Sequence, residues 1–297
     1  MRSSSRRLAL TARIAITAVA LTSHEAAAQR GGARREQAPL VPVPGAERLA
    51  VTDRVTGVRY QVDVAFPVGA DRTVPRPVIL VLDGDDDFAM AARAAEAVRG
   101  ECELPVPPLV VGIGDGASIG APGNRRDRDY TPVPSEVSWA RGAGGAAAFV
   151  RFLAEDLVPS IERAYRTTGS RALFGFSYGG LLGATALLER PALADAWLLG
   201  SPSLFYGDQW AITRARRATS TPARLFLAAG SREDWAIEGN RAFAAALAAS
   251  GHAPRDLASV VIPGAGHALA KPQAMLRAFA WLSCTGPVRD WAAGGGQ

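Results

Sequence analysis

Six short runs of uninterrupted apolar residues punctuate the chain: Val78-Ile79-Leu80-Val81-Leu82, Leu109-Val110-Val111-Gly112-Ile113, Ala172-Leu173-Phe174, Ala196-Trp197-Leu198-Leu199, Leu225-Phe226-Leu227 and Val260-Val261-Ile262. A strand that is apolar on both faces needs cover on both, which is the condition of a parallel sheet packed between two layers of helices. Segments of helical period separate the runs, at 88–99, 146–165, 181–189, 237–249 and 272–282, so strand and helix alternate as a parallel α/β sheet requires. Ahead of the first run the pattern differs. Val58-Arg59-Tyr60-Gln61-Val62-Asp63-Val64-Ala65-Phe66 alternates with a period of two, and residues 49–52 form a shorter partner across Asp53-Arg54-Val55-Thr56-Gly57. This predicts an antiparallel hairpin at one edge. The expected fold class is α/β, with a mostly parallel central sheet, an N-terminal antiparallel hairpin and helices on both faces.

A chain of 297 residues, 48% apolar and 21% charged, is long enough to bury such a sheet within one domain. No internal repeat and no linker after Gly45 divides it, so the expected domain is 46–285. Residues 1–28 stand apart, with a basic start, an apolar middle and Ala26-Ala27-Ala28 at the end, the pattern of a cleaved export signal. The apolar middle is interrupted by Arg13 and Thr17 and is too short to remain in a bilayer. Ser5-Arg6-Arg7-Leu8-Ala9-Leu10 loosely fits a twin-arginine signal, which leaves both bacterial export routes open. The Arg-, Ala- and Gly-rich composition favours a bacterial leader over a mitochondrial one, and so a periplasmic or secreted protein. Residues 29–45, without hydrophobic period, read as a flexible linker, and 286–297 as a flexible tail.

Four leader arginines against Glu25 carry most of the formal +5, leaving +2 for the rest. A charge that small over so many residues gives no reason to expect nucleic acid or an anionic membrane as a partner. Cys102 and Cys284 are the only cysteines; they lack metal-type spacing, and in an oxidising compartment could form one disulfide.

Gly175-Phe176-Ser177-Tyr178-Gly179 lies between the run 172–174 and a helical segment. A sharp strand-to-helix turn crowds the backbone, so glycines flank the serine, and the turn holds its hydroxyl above the carboxyl edge of the sheet. The helix start adds positive potential there. A serine of ordinary pKa needs a base, and after the leader the chain offers only His252 and His267. His252 closes a helical segment in Ala249-Ser250-Gly251-His252, an ordinary C-terminal position. His267 follows the last strand in Pro263-Gly264-Ala265-Gly266-His267, where the base of such a site belongs. The acid should follow the preceding strand, and Arg232-Glu233-Asp234 offers two adjacent carboxylates, able either to orient the imidazole or to cap the next helix. The oxyanion is expected to rest on the amides of Tyr178 and of Gly84 and Asp85, the latter two in the loop Asp83-Gly84-Asp85-Asp86-Asp87. The acids of that loop lack calcium-loop spacing, so no metal is expected.

Together with Pro77-Val78-Ile79-Leu80-Val81-Leu82-Asp83-Gly84, Arg126-Asp127-Arg128-Asp129-Tyr130-Thr131-Pro132, Phe152-Leu153-Ala154-Glu155-Asp156-Leu157-Val158-Pro159 and Gly200-Ser201-Pro202-Ser203, the Ser177 turn resembles the esterase group that includes siderophore esterases and esterase D-like enzymes. This resemblance covers most of the chain after the leader. It implies the α/β-hydrolase fold, a small-molecule ester as substrate and no cofactor. It favours Glu233 as the acid, and places Arg126 and Arg128 at the substrate mouth, where they could bind a negative or polyphenolic group. It further implies that the first and last large helices lie side by side, which brings Cys102 and Cys284 together as a structural disulfide far from Ser177. Phe176 and Tyr178 depart from the group, which usually has histidine before the serine and leucine or phenylalanine after it. The implied reaction is attack of Ser177 on an ester carbonyl, with water releasing the acyl group. Transfer of the acyl group to a sugar or alcohol uses the same intermediate, and a binding protein on this scaffold would need neither Ser177 nor His267. No stretch fixes the identity of the ester or the oligomeric state.

Overall fold

The computed structural model describes residues 43–134, 142–220 and 224–295. The leader at 1–28 and the linker as far as residue 42 lie outside the described residues. The strands are β1 (Ala46–Thr52), β2 (Arg59–Ala65), β3 (Arg76–Val81), β4 (Leu109–Gly114), β5 (Thr167–Phe176), β6 (Ala196–Gly200), β7 (Arg224–Gly230) and β8 (Asp256–Ile262). They form one sheet in the order β1-β2-β4-β3-β5-β6-β7-β8. β1 pairs antiparallel with β2, and β2 antiparallel with β4, while every pairing from β4 to β8 is parallel. The edge hairpin and the parallel body are those the sequence predicts.

The helices are α1 (Gly84–Glu101), α2 (Arg126–Asp129), α3 (Ala146–Phe152), α4 (Val158–Ala164), α5 (Tyr178–Glu189), α6 (Tyr206–Ala215), α7 (Asp234–Ala249), α8 (His267–Ser283) and α9 (Gly286–Ala292). A π-helical turn at Leu153–Leu157 joins α3 to α4. The uninterrupted apolar runs serve both faces of the sheet. Val78, Leu80 and Leu82 pack with Phe149, Phe152, Leu181 and Phe243 of one helical layer. Ile79 and Val81 pack with Phe88, Met275, Phe279 and Trp281 of the other, which holds α1, α8 and α9. Full burial of side chains of this size contributes about 1.5–3 kcal/mol each, which makes these runs the main source of the sheet's stability. α1 and α8 lie side by side, and the disulfide between Cys102 and Cys284, with a Cα–Cα separation of 5.6 Å, joins their C-terminal ends.

Two sequence expectations need correction. The helix expected from Pro272 begins at His267, with Pro272 inside it. Proline favours a helix's first turn, but here Gly266 is the N-cap and the Ala270 N–H bonds to its carbonyl. The expected flexible tail is ordered through Gly295. Pro287 lies in the first turn of α9, whose Ala292 is fully buried, and Arg289 bonds to Asp256 and to the Trp281 carbonyl. The fold therefore runs past Thr285.

Candidate active site

β5 ends at Phe176 and α5 begins at Tyr178, so Ser177 alone makes the turn, at φ 59° and ψ −116°. A non-glycine residue held there costs on the order of 1–3 kcal/mol and persists only where its surroundings over-determine it. Gly175 is one such determinant, because a Cβ on it would stand 2.1 Å from the Gly179 carbonyl oxygen. The loop after β6 is another: Ser177 N–H donates to the Gly200 carbonyl at 2.9 Å, and Ser203 N–H donates to the Ser177 carbonyl at 3.1 Å. Ser177 Oγ lies 3.5 Å from Ser203 Oγ, a long contact that leaves the hydroxyl free to rotate.

His267 opens α8, and its Nδ1 is 2.5 Å from Glu233 Oε1. Glu233 is only 2% exposed. It occupies the N-cap position of α7, yet its side chain makes no cap; instead, Oε2 accepts hydrogen bonds from Ser201 Oγ and from Gly230 N–H, both at 2.7 Å. Asp234 is the exposed first residue of α7. Of the two adjacent carboxylates, Glu233 is the one that meets the imidazole. Phe176 and Trp235 pack against the His267 ring, with centroids at 4.8 and 5.6 Å.

Gly84 and Asp85 are not among the residues that line the cleft holding Ser177 and His267. α1 starts so soon after β3 that Gly84 is pressed onto β4, where a Cβ would meet Ile113 N at 2.5 Å. The Asp85 carboxylate turns to the N–H groups of Asp115 and Gly116. Arg126 lines the cleft. Its Nε and Nη2 bond to the two Asp83 oxygens at 2.7 and 3.0 Å, and Nη2 also donates to the Phe176 carbonyl. Burial works against the guanidinium charge, but Asp83 more than offsets it and raises the Arg126 pKa above its ordinary value. The guanidinium lies over the rings of Tyr130 and Tyr178, at 5.5 and 5.3 Å, so Tyr178 packs on the fixed cation. Tyr130 Oη accepts the Asp83 N–H at 2.9 Å, and burial raises its phenol pKa well above the ordinary value. Arg128 is occupied elsewhere, with Asp129 and the Tyr60 hydroxyl, and does not line the cleft.

Ser177, Tyr178, Arg126 and His267 share a cleft of about 480 Å³ with Ser203, Phe205 and Trp235. The last three have no assigned role in the sequence reading, although Ser203 belongs to the Gly200–Ser203 motif and Trp235 directly follows the paired acids. Phe205 and Trp235 meet edge to face at 5.3 Å. A hydroxyl on a strained turn and an imidazole facing a buried carboxylate are the groups that nucleophilic acyl chemistry uses, and the Arg126 cation lies in the same cleft. Among the described residues, no group of His, Cys, Asp and Glu is placed to hold a metal ion.

The sequence profile of the family described as "Putative esterase" matches residues 54–256. The chain belongs to this family. It is a carboxylic ester hydrolase of the α/β-hydrolase superfamily, and the matched region contains Ser177 and Glu233. Ferri-bacillibactin esterase BesA of Bacillus subtilis (strain 168) is 30% identical over 213 residues, 64% of this chain and 72% of that protein. The siderophore enterobactin esterase of Emericella nidulans is 29% identical over 221 residues, 65% of this chain and 73% of that protein. The structure of the siderophore hydrolase EstA from Aspergillus nidulans matches this esterase with a TM-score of 0.69 at 25% identity, over 83% of this chain and 97% of that one.

Proposed function

We propose that this esterase is a serine hydrolase with Ser177 as nucleophile, His267 as general base and Glu233 as the carboxylate that orients the base. The observation that carries this reading is the contact of His267 with the buried Glu233, which opens on the same cleft as the strained Ser177 turn. Glu233 keeps the proton on Nδ1, so that Nε2 is free to accept the Ser177 proton, and it stabilises the imidazolium that forms. As Ser177 attacks an ester carbonyl, the oxyanion rests on the Tyr178 N–H at the start of α5, with the Gly84 and Asp85 amides at the start of α1 as the further donors, and faces the Arg126 guanidinium. His267 returns its proton to the departing alcohol. Water, deprotonated by the same imidazole, then releases the acyl group. The Ser177 hydroxyl, now near Ser203, rotates to His267 when substrate binds.

Likeness to the named relatives supports a siderophore ester as the small-molecule substrate. The leader pattern at 1–28 supports export, and the Cys102–Cys284 disulfide suits an oxidising compartment. No helix among the described residues is long and apolar enough to cross a membrane. The test is to incubate the protein with a cyclic catecholate trilactone and follow ring opening by chromatography, beside Ser177→Ala and a fluorophosphonate-treated sample. The proposal expects ring opening only by the untreated parent. Ring opening at the parent's rate in both other samples would contradict it.

A further inference from the structure

Lys271 is the one lysine among the chain's 33 lysine and arginine residues. It stands one helical turn after His267 in α8, and its Nζ is 2.9 Å from Oδ1 of Asp87 in the first turn of α1. The two side chains are 24% and 3% exposed. Asp87 Oδ2 is buried without a hydrogen bond, and burial, opposed by Lys271, pushes the Asp87 carboxyl up to about 6. An ion pair this poorly solvated adds little stability over apolar side chains of similar size, so its presence calls for a geometric reason.

Pro272 supplies one. It sits inside α8 directly after Lys271. Having no N–H, it cannot donate to the Ala268 carbonyl, and its ring crowds that carbonyl. The residue before a proline is also disfavoured in helical conformation. The first turn of α8, which carries His267, is therefore held less firmly by its own helix than any later turn. Lys271, which follows that turn directly and precedes Pro272, ties it to α1. Its ammonium also lies over the Phe176 ring at 5.7 Å, and the same ring packs on His267. A narrow stem with a point charge suits a single carboxylate oxygen in a closed space, where a planar guanidinium would demand room and a second acceptor. This accounts for lysine at this one position in a chain that otherwise uses arginine.

We infer that Lys271 and Asp87 are positioning residues, which hold the first turn of α8 so that His267 stays seated between Phe176 and Glu233. The inference rests on the reading of His267 as the base. Its test is the measurement of kcat and KM on a short-chain nitrophenyl ester for the parent, Lys271→Met, Lys271→Met/Asp87→Asn and His267→Ala. Active sites are counted by fluorophosphonate labelling, and the assay runs below every variant's melting temperature. The double variant removes the unpaired buried carboxylate that could keep the single one from folding. The expected result is a fall in kcat of about tenfold or more per folded site in both lysine variants, with KM within about twofold of the parent, since small misplacements of a reacting group are costly. A folded double variant whose kcat matches the parent, while His267→Ala is inactive, would overturn the inference and leave the pair as a helix clamp. A His267→Ala variant as active as the parent would overturn the base assignment itself, and this inference with it.

Discussion

Replacing Glu233 by glutamine leaves the side-chain volume nearly unchanged but reverses its hydrogen-bond pattern at one atom. The Gly230 N–H can only donate, and both it and Ser201 Oγ bond to the same Glu233 oxygen. The glutamine carbonyl must take that place, which turns the amide nitrogen toward His267 Nδ1. That nitrogen donates, so Nδ1 becomes an acceptor and the imidazole proton moves to Nε2, the atom that must receive the Ser177 proton. The carboxylate charge is lost as well. Two unit charges about 4 Å apart at an effective dielectric near 20 interact by about 4 kcal/mol, or about three decades of rate. With the wrong tautomer added, kcat should fall about 10³–10⁴-fold. Glu233→Ala loses the charge but leaves the imidazole free to choose its tautomer, so it should fall less. The assay is kcat on a short-chain nitrophenyl ester, normalised to sites labelled by fluorophosphonate. A glutamine variant within about tenfold of the parent, or more active than the alanine variant, would mean that Glu233 does not set the His267 tautomer and charge. So would an equal loss in Asp234→Asn.

Arg126→Lys keeps the charge but gives up the two-bond pairing with Asp83 and the contact with the Phe176 carbonyl. Steady-state kinetics should show kcat down by about a hundredfold, with circular dichroism unchanged. Joint replacement of Cys102 and Cys284 by serine opens a link across 182 residues. The chain-entropy relation puts that near 5 kcal/mol, so the melting temperature should drop by about 10–20 °C while room-temperature kcat is unchanged. Truncation after Thr285 removes α9, its buried Ala292 and the Arg289–Asp256 pair. A calorimetric scan should show a clear loss of melting temperature, whereas a truly flexible tail would leave it unchanged.

The sheet was legible because its strands are buried on both faces, which forces uninterrupted apolar runs that no surface element would carry. The edge hairpin was legible from strict alternation at 58–66, and the Ser177 turn because Gly175 and Gly179 flank it between strand and helix. What escaped depended on tertiary contacts. The start of α8 was hidden because Pro272 reads as a first-turn residue, and only the packing of the turn on α1 holds a helix through it. The match of Glu233 to His267 depends on Ser201, a residue 32 positions away in sequence, so local pattern left Glu233 and Asp234 equivalent. The family resemblance favoured the one that meets the imidazole.

A serine nucleophile must form a covalent bond at Ser177. Reaction with a nitrophenyl ester, quenched in acid within the first turnover and digested for peptide mass spectrometry, reads that bond directly. The expected result is one acyl group on the peptide containing Ser177, at Ser177 itself, and no acylated peptide in Ser177→Ala. Steady hydrolysis with no acylated peptide at any quench time, undiminished in Ser177→Ala, would contradict it.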